Sequence, residues 1–320
     1  MKPLTLVDTD SITAAAARIA GHVRRTPLWR LPGAALGVDG AEIWLKLEHL
    51  QAGGSFKARG MFNRMLAQPI PAAGVVIASG GNAGIAVATA AQALGVRCEV
   101  FLPELSPVAK RQALAALNAS VVVGGAAYAD ALAACLLRQQ QTGALLMHAY
   151  DQPEVVAGAG RLAQEIEAQS RNSGLPDRVL VSVGGGGLIG GIAAWFAGRC
   201  RVEALEPVGS PTLHAARVAG EPVDVAVSGL AADALGARRI GSVAWPITQQ
   251  FVANAHLVSE AAIASAQQQL WRSLRLAVEP AAALGLAALM SGVVQPARHE
   301  RVALVLCGAN FDPSTLQLGV

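Results

Sequence analysis

Cysteine is scarce and scattered. The four thiols, Cys98, Cys135, Cys200 and Cys307, stand far apart and none forms a CxxC pair, so neither a zinc site nor a disulfide framework is indicated. Charge is low as well. Charged residues make up 15% of the chain and the net charge is +3, too little to argue for nucleic acid or an anionic membrane as a partner. Aromatics are only 4% of the residues, and no basic cluster is interleaved with them, which removes the usual signature of a nucleic-acid surface. No apolar signal-peptide core follows Met1, so a cytoplasmic protein is expected. The stretch from Met65 to Val96 lacks charge altogether and is long enough to cross a bilayer. Pro69, Pro71, Gly80, Gly81 and Asn82 interrupt it, so it reads as a buried strand followed by a buried helix. The six histidines, at 22, 49, 148, 214, 256 and 299, show no metal-ligand spacing and no Ser-His-Asp arrangement; structural or solvated roles are expected for them.

What is abundant is small and apolar. Hydrophobic residues reach 53% of 320, mostly Ala, Val and Leu, enough for a sizeable core in two lobes. Such a composition suits buried parallel strands covered by Ala-rich helices. Along the chain, short apolar runs at 42–47, 74–78, 97–102, 121–123, 145–148, 179–183, 202–205 and 302–306 alternate with helical stretches, the pattern of a parallel α/β sheet. Ser106 and Pro107 read as the cap and first residue of a helix. Residues 207–255 carry several Gly and Pro and no strong period.

Three glycine-rich turns follow apolar strands, where open parallel sheets bind ligands. In the first, Gly53 and Gly54 permit a sharp turn, Ser55 is placed to cap a helix, and Lys57 lies in that helix's first turn. A helix N-terminus disfavours an ammonium charge. An amine that attacks a carbonyl must be neutral, so Lys57 is a candidate Schiff-base lysine. The second turn is Ser79-Gly80-Gly81-Asn82-Ala83-Gly84. The third, Gly184 to Gly187 after Val183, offers consecutive backbone N–H groups at a helix start, a cradle for phosphate. It lacks the lysine of a triphosphate-binding loop, and no βαβ unit with a terminal acidic residue follows to suggest a dinucleotide.

Gly-Ser-Phe-Lys-x-Arg-Gly at 54–60, Ser-Gly-Gly-Asn at 79–82, Gly-Gly-Gly-Gly-Leu at 184–188 and Cys-Gly-Ala-Asn at 307–310 occur in one order across nearly the whole chain. Together with Arg25-Thr26-Pro27-Leu28, Ala157-Gly158-Ala159-Gly160 and Val278-Glu279-Pro280 they resemble the pyridoxal-phosphate enzymes of the tryptophan-synthase-β type, fold type II. The branch they resemble most is the serine/threonine dehydratases. The resemblance implies an α/β fold of two lobes, each a mostly parallel twisted sheet flanked by helices. The small lobe would span roughly 50–148, and 1–49 with 149–320 the large cofactor-binding lobe.

The same resemblance implies roles. Lys57 would carry the cofactor and move the substrate's Cα proton. Gly184, Gly185, Gly186, Gly187 and Leu188 would hold the phosphate, Asn82 the ring hydroxyl, Phe56 the ring face, and Cys307 would face the ring nitrogen. A thiol carries no fixed negative charge at neutral pH, so the ring is a weaker electron sink and elimination is favoured over transamination. Ser79, Gly80, Gly81, Asn82 and Ala83 would receive the substrate carboxylate. Racemising relatives place a hydroxyl at the Gly80 position as an opposite-face proton donor, and it is absent here. Glu206 and Ser210 would bind a monovalent cation, if any. The implied reaction is elimination of water and ammonia from L-serine, L-threonine or a related β-hydroxy amino acid. The alternatives are β-replacement, racemisation, and a cofactor-binding protein with a dead site. A small amino acid as partner, a homodimer, and a catabolic enzyme without a C-terminal regulatory domain complete the expectation.

Overall fold

The computed structural model describes residues 7–316. Among the described residues ten strands form two sheets: β1 Leu28–Pro32, β2 Glu42–Lys46, β3 Val75–Ala78, β4 Cys98–Leu102, β5 Ser120–Val123, β6 Leu145–Leu146, β7 Arg178–Ser182, β8 Arg201–Pro207, β9 Val252–Val258 and β10 Arg301–Val305. The larger sheet has the order β1-β2-β10-β7-β8-β9, and the smaller has β5-β4-β3-β6. Every pairing is parallel except β1 with β2. Strands in the middle of such a sheet are covered on both faces, which is why β3 is wholly Val, Ile and Ala and the centres of β7 and β10 are runs of Val, Leu and Ala. Helices Pro153–Gln169 and Gly187–Phe196 pack tightly through Gly160 and Gly191; a Cβ at Gly191 would stand 2.4 Å from the Val156 carbonyl oxygen.

The sequence places most elements within a few residues, and three departures matter. Ser55 does not cap the helix Lys57–Leu66. It is extended, bridges Gly308 in antiparallel register, and its buried hydroxyl has no partner; Phe56 occupies the cap position. A local capping preference has yielded to a tertiary strand contact. Likewise the helix expected from Ser106 begins at Val108, with Pro107 at its cap. The segment without a period contains helices Thr212–Ala219, Ala232–Leu235 and Ala244–Phe251 and the edge strand β9. No described helix is long and apolar enough to cross a membrane.

β10 lies between β2 and β7 although more than a hundred residues separate it from either. This places Cys307 beside the turn that follows β7. The smaller sheet sends its own turns, after β3 and β6, to the same region.

Candidate active site

The Lys57 turn is sewn to the end of β10. Phe56 N–H donates to the Cys307 carbonyl at 3.0 Å, and Ala309 N–H donates to the Gly54 carbonyl at 2.9 Å. Gly54 has φ +74°, and a Cβ there would lie 2.6 Å from Asn310 Oδ1. Only glycine suits both the left-handed backbone and the close approach.

Lys57 is the first residue of its helix and is half-buried. Its Nζ donates to the Ala149 carbonyl at 2.6 Å. Among the described residues no carboxylate lies within ion-pair distance of it. Burial pushes the amine down to about 8, against the opposing pull of Cys307 and Glu279. The lowered value therefore comes chiefly from the surrounding walls rather than from helix position alone.

Those walls form one cavity. It is lined by Phe56, Lys57, Asn82, Gly184 to Gly187, Leu188 and Cys307, and also by Tyr150, Ser182, Ala234, Leu235, Glu279 and Ala281. The structure thus gathers every residue expected to hold the cofactor. Of the turn expected to receive a carboxylate, only Asn82 lines the cavity. Ser79, Gly80, Gly81 and Ala83 lie beside it, leading into the helix Asn82–Leu94. A Cβ at Gly80 would point toward Leu102 Cδ2, 2.9 Å away. The carbonyl of Asp233 stands near Gly81, and the Asp233 carboxylate pairs with Lys110. The segment 231–235 of the larger sheet's side therefore covers this turn.

The tetraglycine turn has the features of an anion cradle. The N–H groups of Gly184, Gly185 and Gly186 find no acceptor among the described residues, and they precede the first turn of the helix Gly187–Phe196. A Cβ at Gly185 would lie 2.3 Å from Tyr150 Cγ. His148 Nδ1 accepts the N–H groups of Tyr150 and Asp151 at 3.2 and 2.8 Å, shaping the turn that presents the Tyr150 ring.

Glu206 stands outside the cavity. Its carboxylate accepts from the Thr212 hydroxyl at 2.9 Å and from the N–H groups of Leu213 and His214 at 2.7 and 2.8 Å, so it serves the start of the next helix. The single Thr212 hydroxyl proton is shared between Glu206 and the Gly184 carbonyl, which lies 2.6 Å from Thr212 Oγ1, tying that helix to the cradle. Ser210 Oγ faces the Ser228 carbonyl at 3.4 Å.

Beneath Lys57, on the far side of its helix, lies a buried ion network. Arg59 makes two hydrogen bonds to Glu48, at 2.7 and 2.8 Å, and two to Glu165, both at 2.9 Å. Lys46 reaches Glu165 at 2.7 Å. Two cations and two anions of this network are almost wholly buried, and the half-buried Arg161 reaches Glu165 at 3.5 Å from its edge. Burial pushes the Glu48 carboxyl up, but Arg59 outweighs it and holds the group below the ordinary range. The network joins β2, the Lys57 helix and the helix Pro153–Gln169.

Sequence reasoning gave no role to Tyr150, Ser182, Ala234, Leu235, Glu279 or Ala281. Glu279 sits in a motif that carries the resemblance, which was a signal without a function. Ala234 and Leu235 lie in the segment without a period, where no signal existed.

This geometry agrees with what the chain is similar to. The family model described as pyridoxal-phosphate dependent enzyme matches residues 19–308, and the chain belongs to that family. The L-threonine ammonia-lyase of Geobacter sulfurreducens is 36% identical, over 100% of this chain and 78% of its own length. Among solved structures, a threonine deaminase from T.th. superposes with TM-score 0.88 at 34% identity, covering 95% of this chain and 99% of that one. Maize serine racemase superposes with TM-score 0.89 at 29% identity, covering 97% and 95%. The fold is that of the type II pyridoxal-phosphate enzymes.

The residues present fit the cofactor. The Gly184 to Gly186 N–H groups without acceptors would suit its phosphate and the Lys57 amine its aldehyde, and Asn82, Phe56 and the Cys307 thiol, in the same cavity wall, would be available to its ring.

Proposed function

We propose that the chain is a lyase that converts L-threonine, L-serine or a related β-hydroxy amino acid to a 2-oxo acid and ammonia. The observation that carries this reading is the Lys57 amine, depressed by burial and, among the described residues, without a carboxylate partner, in one cavity with a turn whose N–H groups find no acceptor there. Two curated or solved relatives bear the names threonine ammonia-lyase and threonine deaminase.

When bound, pyridoxal phosphate supplies the electron sink that makes the substrate's Cα proton acidic. Gly184 to Leu188 would hold its phosphate, and Asn82, Phe56 and Cys307 would hold its ring. The Lys57 amine, once free, takes the Cα proton. The ammonium so formed is then the donor in the cavity wall for the departing β-hydroxyl, which leaves as water. The released enamine tautomerises and reacts with water, giving the 2-oxo acid and ammonia. The backbone N–H groups at the start of the helix Asn82–Leu94, together with Ser79, receive the substrate carboxylate without a cation.

A racemase-like relative superposes equally well, so the outcome at Cα needs its own argument. Gly80 carries no hydroxyl, and a side chain there would be directed at Leu102. Positioned acid catalysis is worth roughly 10²–10⁴-fold, and dehydration is expected to exceed racemisation by at least about a hundredfold from that range. A 2-oxo acid assay on L-threonine and L-serine, run beside chiral chromatography of L-serine, tests both points. Comparable amounts of D-serine and pyruvate would overturn the assignment. The two sheets that meet at the cavity support a lobe of roughly 50–148 set against the remainder. A homodimer, a cytoplasmic setting and a monovalent cation near Glu206 and Ser210 belong to the same reading through the family resemblance.

A further inference from the structure

Among the described residues Glu279 is the one carboxylate in the cavity wall, and nothing in the reaction above uses it. It occupies the cap position of the helix Pro280–Met290, where a carboxylate ordinarily accepts the helix's first N–H groups, yet it makes no such bond. Instead it turns toward the cavity. Asn82 Nδ2 lies 2.9 Å from each of its oxygens, and Cys307 Sγ lies 3.8 Å from Oε1. Asn82 is fixed at its other end by Asn310, whose Nδ2 donates to Asn82 Oδ1 at 2.6 Å. The carboxyl is almost fully buried and has no ion-pair partner among the described residues. Buried, unpaired carboxylates are uncommon because ionisation there is costly.

We infer that Glu279 is a positioning residue for both polar contacts to the cofactor ring, orienting the Asn82 amide and setting the direction of the Cys307 S–H. This rests on the reading that Asn82 and Cys307 face that ring. An ionised carboxylate only accepts, so the Cys307 proton is directed at Glu279 and the sulfur presents lone pairs to the ring edge. A protonated carboxyl has an O–H to donate to sulfur, and the thiol proton is then released toward the ring. The choice falls within the working pH range. Burial pushes Glu279 up to about 7, against donation from Asn82 and the Asn310 backbone, and Asp233 pushes it further the same way. The other titratable groups facing it are Lys57 and Cys307; burial, reinforced by Glu279 itself, raises the Cys307 thiol well above its ordinary range.

The test reads the thiol rather than turnover. The S–H stretching band of Cys307 is isolated in the cofactor-loaded enzyme by infrared difference against Cys307→Ser, between about pH 6 and about pH 8, a range bracketing the Glu279 transition. The wild-type band should shift across this interval with a midpoint near 7, and the absorption band of the bound cofactor should shift with it. In Glu279→Gln both shifts should vanish while the cofactor stays bound, which separates Glu279 from Lys57 as the titrating group. A wild-type thiol band that does not move overturns the inference without recourse to any variant. Shifts that persist in Glu279→Gln overturn it as well. Failure of the wild type to take up pyridoxal phosphate at all refutes instead the reading on which it rests.

Discussion

Gly185→Ala is the sharpest perturbation of the cofactor cradle. The added methyl would stand 2.3 Å from Tyr150 Cγ and 2.4 Å from Cδ1 and Cδ2, against the face of the ring. Carbon atoms settle at about 3.5–4.0 Å, so ring and turn must part by more than about 1 Å. The neighbour is a rigid ring. Its hydroxyl faces the Arg239 carbonyl at 3.3 Å, and its backbone N–H is held by His148. Either the ring swings out of the cavity wall or the turn retreats with its N–H groups. Overpacking of this kind costs about 1–3 kcal/mol. Carried into cofactor binding, that is a loss of roughly 5- to 150-fold in affinity, since about 1.4 kcal/mol is tenfold. The assay is titration of the cofactor-free enzyme with pyridoxal phosphate, followed by fluorescence quenching. The contact also predicts non-additivity. Tyr150→Ala makes room for the methyl, so the double variant Gly185→Ala/Tyr150→Ala should bind more tightly than the sum of the single losses allows, by about 1 kcal/mol or more. Affinity of Gly185→Ala within about twofold of wild type, under half of a kcal/mol, would refute the cradle geometry. Strict additivity would acquit the Tyr150 ring.

Lys57→Ala should abolish 2-oxo acid formation while leaving a folded protein. Borohydride reduction of the cofactor-loaded wild type, followed by peptide mapping, should label Lys57, and a label on any other lysine sinks the assignment. Because the folded Lys57 amine titrates near 8 instead of at its ordinary 10.5, the rate at which cofactor-free enzyme captures pyridoxal phosphate should rise with a midpoint near pH 8. The same depressed value means that the unfolded chain binds the extra proton, so this group's destabilising effect is full below about 8 and fades as pH rises toward 10.5. Arg59→Ala leaves Glu48 a buried charge without its ion-pair partner, while Glu165 keeps Lys46, and should cost about 3–5 kcal/mol in denaturant unfolding; a loss below about 1 kcal/mol, the range of an exposed pair, would show that water enters the network.

Much of the site was legible because its parts are local. A glycine-rich turn after an apolar strand is visible in sequence wherever it occurs, and Lys57, Asn82 and Gly184 to Leu188 lie on or directly after such turns, while Cys307 follows the last apolar strand. What sequence does not display is which strands become neighbours. β10 inserts between β2 and β7, and that insertion brings Cys307 against Phe56 and draws Ser55 into a bridge with Gly308. The helix cap expected of Ser55 failed for this reason. A serine before a helix is a cap only if no strand competes for its backbone. The segment 207–255 resisted for another reason. Its helix Ala232–Leu235 is a single turn and β9 is a half-exposed edge, so neither has room for a period, yet Ala234 and Leu235 close the cavity. The property that makes Lys57 reactive is likewise not local. A helix N-terminus favours a neutral amine by well under the shift seen here, since a dipole contributes roughly 0.3–1 kcal/mol at an exposed site while a single pKa unit is about 1.36 kcal/mol. The fall from 10.5 to about 8 is set chiefly by burial. That burial is supplied by walls from the turns after β6, β7 and β10 and from the 231–235 segment. The nucleophile is therefore encoded at one position and its reactivity at several others, which become a site only when both sheets are in place.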